Sequence, residues 1–203
     1  MPGDRSGRVA GVVLAAGTSS RMGRNKLLLP LGGTSVLRRA VATAREAALD
    51  PVVVVLGHQS DRALSELAGM ACIPVVNPEY ARGMNTSVRA GISAVPEDVS
   101  GAVLMLADMP FVTRDMLATL VRRFRTAGAP LVISDYEGVN APPMLYDRSL
   151  FPELQAMTGD GCGREVVRRH RSEAAVVSWP KAALADVDLP GDYEDAKARV
   201  GGG

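Results

Sequence analysis

Short, wholly apolar runs recur along this chain, and each gives way first to polar residues and then to a stretch of helical periodicity. Val12-Val13-Leu14, Val52–Leu56 and Ala102–Leu106 offer no polar position to turn toward water. Such a run reads as a strand covered on both faces, the situation inside a parallel sheet flanked by helices. Between the first two, Ser35–Leu49 sets Val36, Leu37, Ala40, Val41, Ala44 and Ala47 at helical spacing. Continued along the sequence, the pattern predicts strands over Val9–Ala15, Ile73–Val76, Leu131–Ser134, Pro143–Tyr146 and Ala174–Val177. It predicts helices over Ser60–Gly69 (Ser60 as N-cap), Met84–Val95, Thr113–Ala127 (Thr113 as cap), Ser149–Met157, Gly163–His170 and Pro190–Ala198. Strands alternating with helices imply an α/β sandwich with a mostly parallel sheet.

A length of 203 residues fits one domain, expected over residues 1–200, with Gly201-Gly202-Gly203 as a disordered tail. The formal net charge of +1 argues against a dedicated nucleic-acid binder. No apolar stretch approaches the roughly 20 residues of a membrane helix, so no membrane partner is expected. The first apolar run leads straight into Gly17 and is read as a strand, not a signal peptide. Cys72 and Cys162 show neither metal spacing nor a disulfide framework, which makes a reducing cytoplasm the simplest compartment.

In parallel α/β sheets, ligands sit beyond the carboxyl ends of the strands. That directs attention to residues 15–26, to Gly57-His58 and to residues 107–110. In the first of these, Ala15-Ala16-Gly17 carries almost no side-chain bulk and lets backbone N–H groups approach an anion. Arg21 and Lys26 follow around Met22-Gly23 and can neutralise phosphate charge. The loop matches neither a Walker A motif nor a dinucleotide GxGxxG, so it is a polyphosphate cradle of another kind.

Four further segments carry candidate chemistry. Asp108, directly beyond an apolar strand, is either a hard oxygen ligand for Mg²⁺ or a cap or turn residue. Ser87 falls in the first turn of a helix, where its hydroxyl and nearby N–H groups can meet a polar ligand, or it is a plain interior residue of that turn. Gly83 just before it is expected to let backbone approach the ligand, or to form a turn. Thr158–Arg164 combines three glycines with a cation at a helix start: a second anion-binding candidate, or a flexible loop. Asp186 and Asp188 alternate and, in a strand, would face the same side; Asp188 is the preferred second metal ligand, with capping as its other role. His58 reads as a surface turn, His170 as a solvated helix end, and Cys162 as incidental to its glycine loop.

Leu14-Ala15-Ala16-Gly17, Ser19–Gly23 and Asn25–Leu31 together resemble the signature of the MobA-like nucleotidyltransferases, and within that group the molybdenum cofactor cytidylyltransferases. Ala107-Asp108-Met109-Pro110, Arg82–Gly91, Thr158–Arg164 and Asp186–Tyr193 resemble the family's later motifs, so the likeness extends from Val12 to Tyr193. It implies a three-layer α/β/α, Rossmann-like nucleotidyltransferase fold whose part near residues 140–180 serves the acceptor. It further implies that Leu14, Ala15, Ala16, Gly17, Arg21, Lys26, Gly83 and Ser87 bind the nucleotide. Arg21, Lys26 and Asp108 would be catalytic, and Asp108 with Asp188 would hold Mg²⁺. Asp160, Gly161 and Arg164, with Asn140 nearby, would meet the acceptor. The substrates implied are CTP and molybdopterin or molybdenum cofactor, with a molybdoenzyme as possible client. Relatives that use GTP usually carry a second glycine where this chain has Ala16. The chain departs from the family at Ala141-Pro142-Pro143, where a polar residue usually precedes the second proline. Another phosphorylated acceptor, GTP in place of CTP, an NAD(P)H-dependent oxidoreductase of the same fold and a non-catalytic cofactor carrier stand as alternatives.

Overall fold

The computed structural model describes residues 5–19 and 22–201. Its frame is a sheet of strands β1 (Arg8–Ala15), β4 (Val52–Leu56), β5 (Ile73–Val76), β6 (Val99–Leu106), β7 (Leu131–Tyr136), β8 (Val139–Asn140), β9 (Met144–Asp147) and β10 (Ala175–Trp179). The order is β10-β7-β9-β6-β1-β4-β5, with β8 hydrogen-bonded to β7. The pairs β6–β1, β1–β4, β4–β5 and β7–β10 are parallel, whereas β9 runs antiparallel to both β6 and β7. A small separate hairpin pairs β2 (Pro30–Leu31) with β3 (Thr34–Ser35).

The apolar runs are apolar because the sheet is covered twice. Along β1, Val9, Val13 and Ala15 pack into one layer with α1 (Val36–Glu46) and α4 (Arg114–Ala127). Ala10, Val12 and Leu14, with Ala16 just beyond the strand, pack into the other layer with α3 (Met84–Ser93), α5 (Phe151–Ala156) and α6 (Arg164–Arg169). The first layer also takes in residues of the short α2 (Ser60–Glu66) and of α7 (Pro190–Gly201). Val12 and Val13 are fully buried; such side chains contribute about 1.5–3 kcal/mol each.

The predicted elements are present, with differences that have local causes. Ser60 is not a cap: Gln59 precedes α2 in a left-handed conformation and no side chain caps the helix. Ser35 and Thr113 do cap, accepting from the N–H groups of Arg38 and Met116. Asp186 and Asp188 lie in no strand but in the irregular segment before α7. His170 is not a solvated helix end: it is half-buried, and its Nε2 sits 2.8 Å from Glu153 Oε1, joining the end of α6 to α5. Gly201 belongs to α7, so the expected tail does not begin there; Gly202 and Gly203 lie outside the described residues. Among the described residues no helix is long and apolar enough to cross a membrane.

The connections explain where a site can form. From β1 the chain moves to β4 and β5 on one side, then returns to place β6 on the other side of β1. The carboxyl ends of β1 and β6 therefore diverge into a crevice at the point where the winding reverses, the place where such sheets bind ligands. Leu14 pairs with Leu106, and the Ala107 N–H donates to the Leu14 carbonyl at 3.1 Å, so Asp108 emerges beside the loop after β1.

Candidate active site

Three segments far apart in sequence meet at this crevice. The loop after β1 ends in a short 3₁₀ turn, Lys26–Leu28, capped by Asn25, whose Oδ1 accepts from the Leu27 N–H at 3.1 Å. Buried Leu27 anchors the turn in the core, and the Lys26 N–H donates to Ser19 Oγ at 3.2 Å. Asp108 is fixed by the end of β6. Its backbone carbonyl accepts from the N–H of fully buried Val187 at 3.0 Å, which brings the next residue, Asp188, into reach. Asp192 holds that turn, its Oδ2 accepting from the N–H groups of Asp188 at 3.1 Å and Leu189 at 2.7 Å.

The result is a cation held between two carboxylates. Lys26 Nζ lies 2.5 Å from Asp108 Oδ2 and 2.5 Å from Asp188 Oδ1, and the lysine side chain is only 10% exposed. Burial pulls the Lys26 pKa down, but Asp108 and Asp188 more than offset it and hold the ammonium above its ordinary value. Asp186 lies close enough to feel the same charges: burial, then repulsion from Asp188 and Asp108, raises its carboxyl. Among the described residues no three acidic, histidine or cysteine side chains cluster as a metal site. Two carboxylates converging on one point are nonetheless a fitting donor set for a hard divalent cation, which takes its other ligands from water and substrate phosphates.

Asp108 also lines a cleft of about 480 Å³ with Leu14, Ala16, Gly17, Thr18, Leu106, Tyr80, residues 81–84, Ser87 and Asp160. Ser87 is 3% exposed. Its helix can lie close because Gly91, one turn on, has no side chain: a Cβ there would fall 2.4 Å from Val12 Cγ1. The helix N-terminus itself is not free to bind an anion, contrary to the sequence expectation. Met84 N–H donates to Asp160 Oδ1 at 3.0 Å, Asn85 N–H to the Gly159 carbonyl at 3.1 Å, and Thr86 N–H to the Gly83 carbonyl at 3.1 Å. Gly83 serves this contact as well as the cleft: with φ at 116°, it packs so tightly that a Cβ would lie 2.6 Å from the Gly159 oxygen.

The acceptor candidates sit next door. Asp160, Gly161 and Arg164 line a second cavity of about 390 Å³ with Asn85, Thr158, Glu165 and Arg168. Asp160 borders both cavities. Two of the loop's N–H groups are engaged, Gly163 to Asn85 Oδ1 at 3.3 Å and Arg164 to the Gly161 carbonyl at 2.9 Å, and Arg164 and Arg168 put two cationic side chains on the lining of this cavity. Asn140 is not brought to either cavity: it lies on β8, where its amide donates to Asp135 Oδ1 at 2.8 Å. Pro142 and Pro143 face the sheet, their carbonyls accepting from Tyr136 and from Ser134. Burial pushes the Cys162 thiol up to about 12, so it is no thiolate nucleophile. Arg21 lies outside the described residues. Sequence reasoning missed Asn77, Asn85 and Arg168. The rule that led to the loops after β1, β4 and β6 also leads to Asn77, the residue directly after β5.

Residues 11–175 match the MobA-like NTP transferase domain. The chain belongs to that family. Over 94% of its length it is 31% identical to the purine catabolism protein PucB of Bacillus subtilis, covering 96% of that protein. It is 26% identical to the molybdenum cofactor cytidylyltransferase of Escherichia coli, over 93% of this chain and 95% of the other. Among solved structures, Rv0371c of Mycobacterium tuberculosis superposes with a TM-score of 0.84 at 28% identity, over 95% of this chain and 98% of that one. A manganese complex of Rv0371c superposes with a TM-score of 0.79 at 27% identity, over 94% and 98%. The chain is thus a nucleotidyltransferase of the MobA-like family with the α/β/α fold the sequence implied.

Proposed function

We propose that this protein transfers the CMP group of CTP to the terminal phosphate of molybdopterin or its molybdenum-loaded form. The product is the cytosine dinucleotide cofactor, and pyrophosphate is released. One observation carries the reading: Lys26, Asp108 and Asp188 converge at the ends of β1 and β6, beside a cleft lined by Ala16 and Ser87. The likeness to the Escherichia coli cytidylyltransferase and the Ala16 position support CTP and this acceptor over other pairs.

The acceptor phosphate is already a nucleophile at neutral pH, so the protein supplies alignment and charge neutralisation rather than covalent chemistry. An oxygen of that phosphate forms a bond to the α-phosphorus while the bond to the bridging oxygen breaks, and the electron pair leaves with pyrophosphate. Lys26 and Arg21 neutralise the triphosphate, and Leu14, Ala16, Gly17 and Gly83 form the walls around the nucleotide, whereas Ala15, expected among them, packs into the opposite layer. Arg164 holds the acceptor phosphate beside Asp160 and Gly161. Asp108 and Asp188 would hold Mg²⁺, which when bound offsets charge on the phosphates. A molybdoenzyme is the client that this product implies.

A nucleotide panel tests the reading. CTP, GTP, ATP and UTP are each mixed with Mg²⁺, molybdenum cofactor and the protein, and dinucleotide product is measured by mass. The expected result is cytosine dinucleotide well above the other three; faster turnover of GTP overturns the base, and turnover only with another phosphorylated acceptor overturns the pterin.

A further inference from the structure

Asn77 is 4% exposed and follows β5 at the sheet edge. Its side chain is fully committed. Oδ1 accepts from the Glu79 N–H at 2.9 Å. A backbone N–H can only donate, which fixes the orientation of the amide and leaves Nδ2 facing α3. Nδ2 donates to Thr86 Oγ1 at 2.9 Å and to Ser87 Oγ at 2.9 Å. The Thr86 proton has its own acceptors, the carbonyls of Gly83 at 2.8 Å and Glu79 at 3.1 Å. Ser87 differs. Its oxygen accepts from Asn77, and among the described residues nothing accepts its proton.

We propose that Asn77 is a positioning residue that fixes the Ser87 hydroxyl as a hydrogen-bond donor toward the cleft, so that the base bound there must present an acceptor. A hydroxyl normally turns to suit its partner, donating to one ligand and accepting from another. Here the amide removes that freedom, because an amide N–H cannot accept. The surroundings suit a nucleobase: Leu14, Ala16 and Ser87 all belong to the α3 side of the sheet, and Ser87 is the hydroxyl set among these apolar side chains. A pyrimidine offers its 2-carbonyl to such a donor. A guanine set with its 2-amino group at the place of that carbonyl presents a donor to a donor and gains nothing, whereas its acceptors O6 and N7 lie on the far edge of the ring. The inference rests on the reading of the cleft as a CTP site and adds the means by which one base is preferred.

The test is calorimetric titration of CTP and of GTP, each with Mg²⁺, into the wild type, Asn77→Asp, Ser87→Ala and the double variant. The readout is the ratio of the two dissociation constants. In Asn77→Asp the new carboxylate accepts the Ser87 proton and turns it away from the cleft. The added charge weakens both triphosphates alike and cancels in the ratio, as does any general loosening of the site. Preference for CTP is expected to fall about fivefold in each single variant, the worth of one neutral hydrogen bond, and no further in the double variant. A ratio unchanged by Asn77→Asp but lowered by Ser87→Ala overturns the role of Asn77, as do effects that multiply. A wild type that binds neither nucleotide, or prefers GTP, overturns the underlying CTP reading and this inference with it. If Asn77→Asp lacks a cooperative melting transition, Asn77→Ala replaces it in the same cycle, and the same non-additivity is required.

Discussion

Lys26 is the residue on which most of the account turns. Its ammonium is paired at 2.5 Å with each of two carboxylates, one from the middle of the chain and one from its C-terminal part. Lys26→Ala removes the ammonium that lies between Asp108 and Asp188, and with it a cation from the phosphates. Turnover is expected to fall by about 10²–10³, measured as pyrophosphate release; activity within a factor of two of wild type would remove Lys26 from the reaction. Gly83 offers a test of packing. A Gly83→Ala change must place a Cβ 2.6 Å from the Gly159 oxygen at a φ of 116°. A destabilisation of about 1–3 kcal/mol is expected, visible as a lower melting temperature. At this scale much was legible in advance. Lys26, Asp108 and Asp188 stood out because the segments around them resemble the family's motifs; taken alone, Asp108 and Asp188 read equally as cap or turn residues. Asn77, Asn85 and the engaged N–H groups of α3 did not, because their meaning lies in partners 9 to 78 residues away that only folding reveals.

Among the elements, α3 is the hinge of the argument. It carries Ser87 on its cleft side, while its first turn is stapled to the loop over residues 158–163. Asn85 makes two of those links, donating to the Thr158 carbonyl at 2.8 Å and accepting from the Gly163 N–H. Asn85→Ala should free the loop that presents Arg164, raising the KM for the acceptor several-fold while leaving that for the nucleotide nearly unchanged. Equal rises in both would mean that the helix, not the loop, had moved. A second pair of elements, α5 and α6, is joined through Glu153, whose carboxyl is held below its ordinary value chiefly by His170 and also by Arg169. A lowered carboxyl pKa contributes stability above the unfolded value, near 4.5, that is lost as pH falls through the folded value. Glu153→Gln should therefore melt lower than wild type at pH 6, with the difference shrinking below pH 4.5; a difference constant across that range would contradict the linkage. The existence of these helices was readable from periodicity, but their ends were not. In the sequence His170 reads as a solvated end because the run Arg168-Arg169-His170-Arg171 is uniformly polar until α5 packs against it.

For the whole molecule, the winding of the sheet does the placing. The parallel neighbours β6, β1 and β4 were foreseeable from fully apolar runs, since strands covered twice lack a polar face, whereas β5 is an edge strand whose apolar Ile73 and Val76 stay exposed. A strand over Pro143–Tyr146 was foreseeable too, but its antiparallel direction as β9 was not, nor was the hairpin of β2 and β3, because two-residue strands carry too few side chains for a period to show. The reversal between β1 and β6 opens the crevice, and α7 returns to it behind Asp188. The charged trio and the Ser87 hydroxyl thus come from opposite layers of the sandwich and meet only beyond the carboxyl ends of β1 and β6. The central claim is that this crevice transfers a nucleotidyl group with Asp108 in the machinery. The most direct measurement follows the α-phosphate. CTP labelled there is mixed with Mg²⁺, molybdenum cofactor and either the wild type or Asp108→Asn, and labelled dinucleotide is quantified after one turnover time. The account predicts label in the cytosine dinucleotide with the wild type and a loss of at least about a hundredfold with Asp108→Asn; equal labelling by both proteins, or none by the wild type with any phosphorylated acceptor, would contradict it.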